Sequence, residues 1–116
     1  MKTIGVKKLL KELINDLEDL KAVNIVTIDI KKRSSIADYL IIVSGNSSRH
    51  LNSIATNIQK NYKKRIIATE GIKSSEWLIV DFGDIILNIF RPEARDHYDL
   101  QKIWQDNTHP SKQKFG

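Results

Sequence analysis

The chain has 116 residues and a formal net charge of +5 at pH 7, a length typical of one domain with one ordinary core. It contains no cysteine, which excludes disulfides and thiolate catalysis and fits a reducing compartment. Its apolar runs are much shorter than the roughly 20 residues of a membrane span, and the segment from Met1 to Val6 lacks the apolar core of a signal peptide. We therefore expect a cytoplasmic protein without a membrane segment.

The first 30 residues predict a helix followed by a strand. From Val23 to Ile30, apolar and polar residues alternate with the period of a strand. Before that segment, five apolar residues recur at spacings of four and three, which place them on one helix face. These residues are Val6, Leu10, Leu13, Leu17 and Leu20.

A second apolar run, Tyr39 to Val43, stops at a turn, and an amphipathic helical pattern begins at once. A short apolar run bounded by turn residues is typical of a strand buried on both faces. Asn46 and Ser47 are both suitable N-cap residues for the helix that follows. Junctions of this kind are where α/β proteins often place their working residues. We name this junction the signature turn, and it comprises Ser44, Gly45, Asn46, Ser47, Arg49 and His50.

The helix after the signature turn is expected to end at Lys63-Lys64-Arg65, where positive charge complements the carbonyl end of the helix. Residues 66–68 predict a short strand because Ile66 and Ile67 are β-branched. The next three residues, Thr69-Glu70-Gly71, predict a turn.

Two further strands, Trp77 to Val80 and Ile85 to Phe90, flank the sequence Asp81-Phe82-Gly83-Asp84. That sequence predicts a tight hairpin in which Gly83 takes a positive φ. Pro92 favours the start of a last helix, expected to run through Tyr98 to Trp104. Residues 107–116 are polar and are predicted to form a disordered tail.

The predicted order α-β-β-α-β-β-β-α indicates an α/β fold with a single domain over residues 1–106. A hairpin together with a β-α-β crossover implies a mixed sheet of four to five strands with helices packed on it.

The enzyme interpretation to weigh against binding is a small nucleotide-binding or nucleotidyltransferase-like enzyme that uses the signature turn. The signature turn suits a phosphate, because Gly45 lets the backbone approach a ligand and Arg49 adds positive charge beside a helix N-terminus. A nucleotidyltransferase would also need carboxylates that hold magnesium. Asp81 and Asp84 are the nearest candidates, but they flank a hairpin instead of alternating along one strand. The three histidines are scattered, so we predict no metal site and no cofactor, with a nucleotidyltransferase-like enzyme kept as the alternative.

A set of short segments follows one another along about residues 5 to 105: Ala37-Asp38-Tyr39, Ser44 to His50, Glu70-Gly71, Trp77, Asp81 to Asp84, Ile89-Phe90, Glu93-Ala94-Arg95, Tyr98-Asp99-Leu100 and Trp104. In order and spacing, these segments resemble the ribosomal silencing factors, also called the Iojap family. The departures are mild: the family often has an aliphatic residue or Tyr at Phe82, a His at Asn88 and a Phe at His97.

The resemblance implies an α/β fold similar to nucleotidyltransferases without their catalytic carboxylates, and an activity of binding rather than catalysis. Such factors bind the large ribosomal subunit at its ribosomal protein fourteen. They block joining of the small subunit and lower translation when nutrients are short. Homodimers are known in the family, and the bacterial form is expected because we see no transit peptide.

On this basis two surfaces are predicted. Aromatic and charged residues of the last third suit a protein interface, since such residues bury large area with a polar tip, although any one ring could instead fill the core. Three lysines, Lys60, Lys63 and Lys64, are expected to add affinity for neighbouring rRNA. The predicted protein-binding residues are Trp77, Asp81, Asp84, Phe90, Arg91, Glu93, Arg95 and Tyr98.

Overall fold

The computed structural model describes residues 2–72 and 76–94. Its helices and strands follow the predicted order as far as the description extends, and residues 92–94 are helical, as Pro92 predicts. A short 3-10 helix at Lys63–Arg65 follows the second α-helix. The elements are α1 (Lys2–Asp19), β1 (Val23–Asp29), β2 (Tyr39–Ser44), α2 (Ser48–Asn61), β3 (Ala68–Ile72), β4 (Trp77–Asp81) and β5 (Ile85–Phe90).

The five strands form one mixed sheet in the order β1-β2-β5-β4-β3. The two central strands, β2 and β5, are parallel, with Tyr39 opposite Ile85 and Ser44 opposite Phe90. The other three pairs are antiparallel. The predicted mixed sheet with flanking helices is therefore confirmed, and the crossover through α2 supplies its parallel pair.

Every candidate site lies at one of the two ends of the sheet. At the hairpin end, residues 82–84 join β4 to β5; at the turn end, residues 45–47 follow β2. Because β2 runs from the hairpin end to the turn end, α2 runs back in the opposite direction. Its 14 residues separate the two ends by about 21 Å along the helix axis.

Both α-helices pack on one face of the sheet. Leu13 and Leu17 on α1 and Leu51 and Ile54 on α2 are fully buried against alternate residues of β2 and β5. Leu10 and Leu20, from the same predicted apolar face as Leu13 and Leu17, pack against this cluster and are partly buried. The opposite face carries a second buried cluster that includes Leu40, Ile42, Phe90 and Ala94, with Trp77 packed against it. Every residue of β2 is buried, as its uninterrupted apolar sequence predicts.

The third strand differs from the prediction. Residues 66–68 were expected to form it and Thr69-Glu70-Gly71 to form a turn, but β3 spans Ala68–Ile72. The expected turn is wrong because these residues pair with β4, in a register that places Ala68 opposite Asp81 and Ile72 opposite Trp77. Cross-strand pairing at the edge of the sheet outweighs the low strand propensity of Glu70 and Gly71.

The hairpin between β4 and β5 is confirmed. The Asp81 carboxylate accepts a hydrogen bond from the Gly83 backbone N–H at 2.7 Å, and Gly83 has φ +95°, which only glycine adopts without strain. Phe82 points into the core, where its ring meets the Tyr62 ring edge-on with centroids 5.9 Å apart. The continuation of the last helix to Trp104, the boundary at residue 106 and the tail at 107–116 lie outside the described residues.

None of the helices in the described ranges combines the length and apolar character that crossing a membrane requires.

Candidate functional site

The signature turn is built around a glycine that has no room for a side chain. Gly45 is buried, and its N–H donates to the Phe90 carbonyl at 2.9 Å. A Cβ atom at this position would lie 2.8 Å from the Leu51 backbone nitrogen and 2.9 Å from its Cα. Gly45 therefore allows the end of β2 to lie directly against the first turn of α2.

Of the two N-cap candidates, Ser47 is the N-cap of α2. Its Oγ accepts a hydrogen bond from the His50 backbone N–H at 3.1 Å, which satisfies one of the free N–H groups in the first helical turn. Asn46 instead donates its backbone N–H to the His50 ring at 2.8 Å. The sequence identified both residues as suitable caps, and the structure assigns them different roles.

His50 joins the signature turn to α1. Its Nδ1 accepts from Asn46, so the ring proton lies on Nε2, which donates to the Leu20 carbonyl at 2.9 Å. Leu20 immediately follows α1, so one imidazole connects the turn, the start of α2 and the end of α1. Arg49 beside it is exposed. Ser44, which begins the turn, is 2% exposed.

These contacts leave little of the turn for an anion. The backbone N–H groups of Gly45, Asn46 and His50 all donate within the protein. Asp81 and Asp84 lie at the hairpin end, separated from the turn by the length of β2, about 17 Å. Nor does any cluster of three or more His, Asp or Glu in the described ranges suit a metal ion. The turn and the two carboxylates thus do not form one nucleotidyltransferase site.

The turn end of the sheet carries a partly exposed tryptophan with an ordered environment. The Trp77 indole stacks on the Phe90 ring, with centroids 4.8 Å apart and planes 26° from parallel. Its Nε1–H donates to Asn88 Oδ1 at 3.0 Å. Phe90 itself is 0% exposed, so its predicted direct contact with a partner is not available: it supports Trp77 from the core.

An ion pair follows directly after β5, where Arg91 succeeds Phe90 in the chain. Arg91 Nη2 lies 2.8 Å from Glu93 Oε2, and the Arg91 N–H extends the pairing of β4 with β5 by donating to the Glu76 carbonyl at 3.0 Å. The hydrogen bond from Arg91 lowers the pKa of the Glu93 carboxyl, and the same contact raises the pKa of Arg91. We name Trp77, Arg91 and Glu93 together the Trp77 surface. Arg95 and Tyr98, also predicted here, lie outside the described residues.

The other predicted contact residues lie elsewhere. Trp77 and Asp81 are the two ends of β4, which places them about 14 Å apart. Asp81 holds the hairpin through Gly83, and the Asp84 carbonyl accepts from the backbone N–H groups of Asp38 and Tyr39. The structure thus divides one predicted group into two, one at each end of the sheet.

Two further placements complete the description. Lys60, Lys63 and Lys64 are exposed at the C-terminal end of α2 and in the 3-10 helix, at the hairpin end.

Sequence reasoning missed Asn88 as a site residue. The available signal was a single amide in the otherwise apolar strand Ile85–Phe90.

The chain is similar to known proteins over most of its length. A family model described as "Ribosomal silencing factor during starvation" matches residues 3–115. A ribosomal silencing factor from Zymomonas mobilis is 39% identical over 99 residues, which are 83% of this chain and 74% of that protein. The mouse protein named mitochondrial assembly of ribosomal large subunit protein 1 is 33% identical over 107 residues, 87% of this chain and 47% of the mouse protein. A crystal structure from Chromobacterium violaceum matches with a TM-score of 0.80 at 31% identity and covers 88% of both chains. This chain belongs to the ribosomal silencing factor family.

Proposed function

We propose that the protein binds the large ribosomal subunit in the cytoplasm and blocks joining of the small subunit, which represses translation when nutrients are limiting. The main supporting observation is the Trp77 surface, in which a half-buried indole stacks on Phe90 and an ion pair begins at the next residue, Arg91, in a chain that belongs to this family. The name of the mouse relative, which refers to assembly of the large subunit, supports the choice of subunit.

The proposed mechanism is occupancy and needs no catalytic group. An interface of ordinary size covers about 800 Å² on each partner, which is enough to fill a contact site between two subunits. Partly buried tryptophans are typical anchors of such interfaces. The geometry of Trp77 fits this role, because its indole is stacked on Phe90 and bonded to Asn88 without any partner.

We propose ribosomal protein fourteen of the large subunit as the direct partner. Trp77 would form the centre of the contact, with Phe90 beneath the indole and the exposed Arg91–Glu93 pair at the rim. Arg95 and Tyr98 follow in the chain and stay part of the proposal. Asp81 and Asp84 are proposed as peripheral contacts, since a patch of 800 Å² is on the order of 30 Å across and can include both ends of the sheet.

A second, weaker contact is proposed for ribosomal RNA. Lys60, Lys63 and Lys64 are exposed together at the hairpin end, where positive charge attracts phosphates by release of counterions. Salt should screen this contribution more than that of the Trp77 surface. A homodimer, a form known in the family, is a further partner state to test, which sedimentation equilibrium of the free protein would detect.

The direct experiment is co-sedimentation with isolated large subunits at low salt, followed by addition of small subunits. We expect the protein in the large-subunit fraction and a reduced yield of joined ribosomes. A folded protein that is absent from that fraction would contradict binding. A protein that binds without reducing joining would contradict the occupancy mechanism alone.

The enzyme alternative makes a separate prediction. A nucleotidyltransferase would release or absorb heat when titrated with nucleoside triphosphates and magnesium, and Asp81→Asn would abolish that heat. Because the signature turn and Asp81 lie at opposite ends of the sheet, we expect no such signal from the wild-type protein.

A further inference from the structure

One buried polar side chain is not explained by the fold. Asn88 lies in β5 between Leu87 and Ile89 and is 2% exposed. It faces away from the two helices, on the side of the sheet that carries Phe90 and Trp77. Its Oδ1 accepts the hydrogen bond from the Trp77 indole at 3.0 Å.

The orientation of the Asn88 amide is fixed by the indole. A tryptophan Nε1–H can only donate, so the amide must turn its oxygen toward Trp77 and its NH₂ group away. In the described part of the chain, Asn88 Nδ2 is buried and has no acceptor. A buried donor without an acceptor destabilises the folded state, and leucine has the same branching without that cost. Asn88 is therefore poorly explained as a core residue.

Asn88 and Phe90 restrain different motions of Trp77. Phe90 lies directly opposite Trp77 across the β4–β5 pair, whereas Asn88 lies opposite Ile79 and is a diagonal neighbour of Trp77. Diagonal neighbours lie within reach of aromatic side chains. The stack on Phe90 sets the plane of the indole, but stacked rings can still slide and rotate in that plane. The hydrogen bond from Nε1 to Asn88 fixes that remaining rotation.

We propose that Asn88 is a positioning residue that orients the Trp77 indole for binding to the partner. The proposal rests on the proposed function of the Trp77 surface, and it extends that function to a residue that the partner does not touch. Asn88 contributes a fixed ring orientation to the complex, so that less ordering is required when the partner binds.

The test compares Asn88→Leu, which keeps the branching and removes the acceptor, with Asn88→His. Histidine Nδ1 and asparagine Oδ1 are both attached to Cγ and lie at the same distance in bonds from Cα. A neutral histidine ring can therefore accept the hydrogen bond from the indole. The first readout is the rate of hydrogen exchange of the Trp77 indole N–H. Its signal is assigned as the one that is missing from Trp77→Phe. The second readout is the Kd for isolated large subunits.

We expect Asn88→Leu to unfold at a denaturant concentration no lower than wild type, with indole exchange and Kd each raised roughly tenfold. Asn88→His should restore both values toward wild type. In a Trp77→Phe background, Asn88→Leu should have no further effect on Kd, because the donor is already absent. If Asn88→Leu does not fold, Asn88→Ala removes the same acceptor and serves for both measurements.

Unchanged indole exchange in Asn88→Leu would overturn the proposal. An equal loss of affinity in the Trp77→Phe background would also overturn it, since Asn88 would then act by another route. If the wild-type protein does not bind large subunits, the proposed function fails, whereas the exchange measurement still decides whether Asn88 holds the indole.

Discussion

The signature turn and the Trp77 surface lie side by side at one end of the sheet, yet they use their polar groups in opposite ways. In the turn, the hydroxyl of Ser47 and both ring nitrogens of His50 are bonded within the protein. At the Trp77 surface, an indole is half-buried and an ion pair is exposed. A dense run of polar residues beside a glycine can therefore be a structural corner, while the binding surface that we propose lies in the neighbouring, less conspicuous segment.

The largest expected effect tests the structural role of the turn. Gly45→Ala would place a Cβ 2.8 Å from the Leu51 backbone nitrogen, and backbone atoms cannot move aside cheaply. We expect the free energy of unfolding to fall by about 3 kcal/mol, measured by urea denaturation. The control is Gly5→Ala, at an exposed position in α1 with no atom within 4 Å of the added Cβ, which should stabilise by about 0.5–1 kcal/mol. A tolerated Gly45→Ala would show that the turn is not close-packed.

A smaller effect is expected at the cap of α2. Ser47→Ala removes the oxygen that accepts from the His50 N–H, and loss of such a cap costs about 1 kcal/mol. The matched control is Ser53→Ala at an exposed position within the same helix, where alanine should be neutral or slightly stabilising. Thermal unfolding of both variants measures the difference. Equal stabilities would mean that Ser47 does not cap the helix in solution.

The smallest effect on stability is expected at the Trp77 surface. Glu93→Gln removes an exposed ion pair, and such pairs contribute little to folding. Because Arg91 lowers the pKa of the Glu93 carboxyl, any contribution of Glu93 is present above the ordinary glutamate pKa, about 4.3, and is lost as pH falls through the lowered value. We therefore expect Glu93→Gln to have the same urea midpoint as wild type at pH 7. The two midpoints should differ in their pH dependence only in acid.

The same variant should weaken binding to large subunits by roughly threefold, because a charge at the rim of an interface acts mainly on association. Glu70→Gln on the exposed edge strand β3 is the control and should change neither property. A clear drop in the stability of Glu93→Gln would place the ion pair among the contacts that maintain the fold.

The sequence predicted what depends on local pattern. The buried strand followed from the uninterrupted apolar run Tyr39 to Val43, the alternation of Ile85, Leu87 and Ile89 followed from the period of a strand, and Gly83 identified the hairpin. The β3 strand was misplaced because its pairing with β4 is a tertiary contact that Thr69-Glu70-Gly71 does not signal.

The candidate site was predicted less completely, for a geometrical reason. Trp77 and Asp81 are near in sequence, but an extended strand separates them by about 14 Å. The bond from His50 to the Leu20 carbonyl spans 30 positions, and the diagonal reach of Trp77 to Asn88 depends on the register of β4 against β5. Neither the His50–Leu20 contact nor the Trp77–Asn88 contact can be recognised from residues that are adjacent in the sequence.

We propose that the Trp77 surface, and not the basic surface at the hairpin end, carries most of the affinity for the large subunit. Equilibrium binding of wild type, Trp77→Ala and Lys60→Ala to isolated large subunits at physiological salt distinguishes the two surfaces. We predict that Trp77→Ala raises the Kd by roughly 30-fold, as loss of an interface anchor does, while Lys60→Ala raises it about twofold because exposed charges are screened. Equal effects of the two substitutions on folded proteins would contradict the account and would show that electrostatic attraction holds the complex.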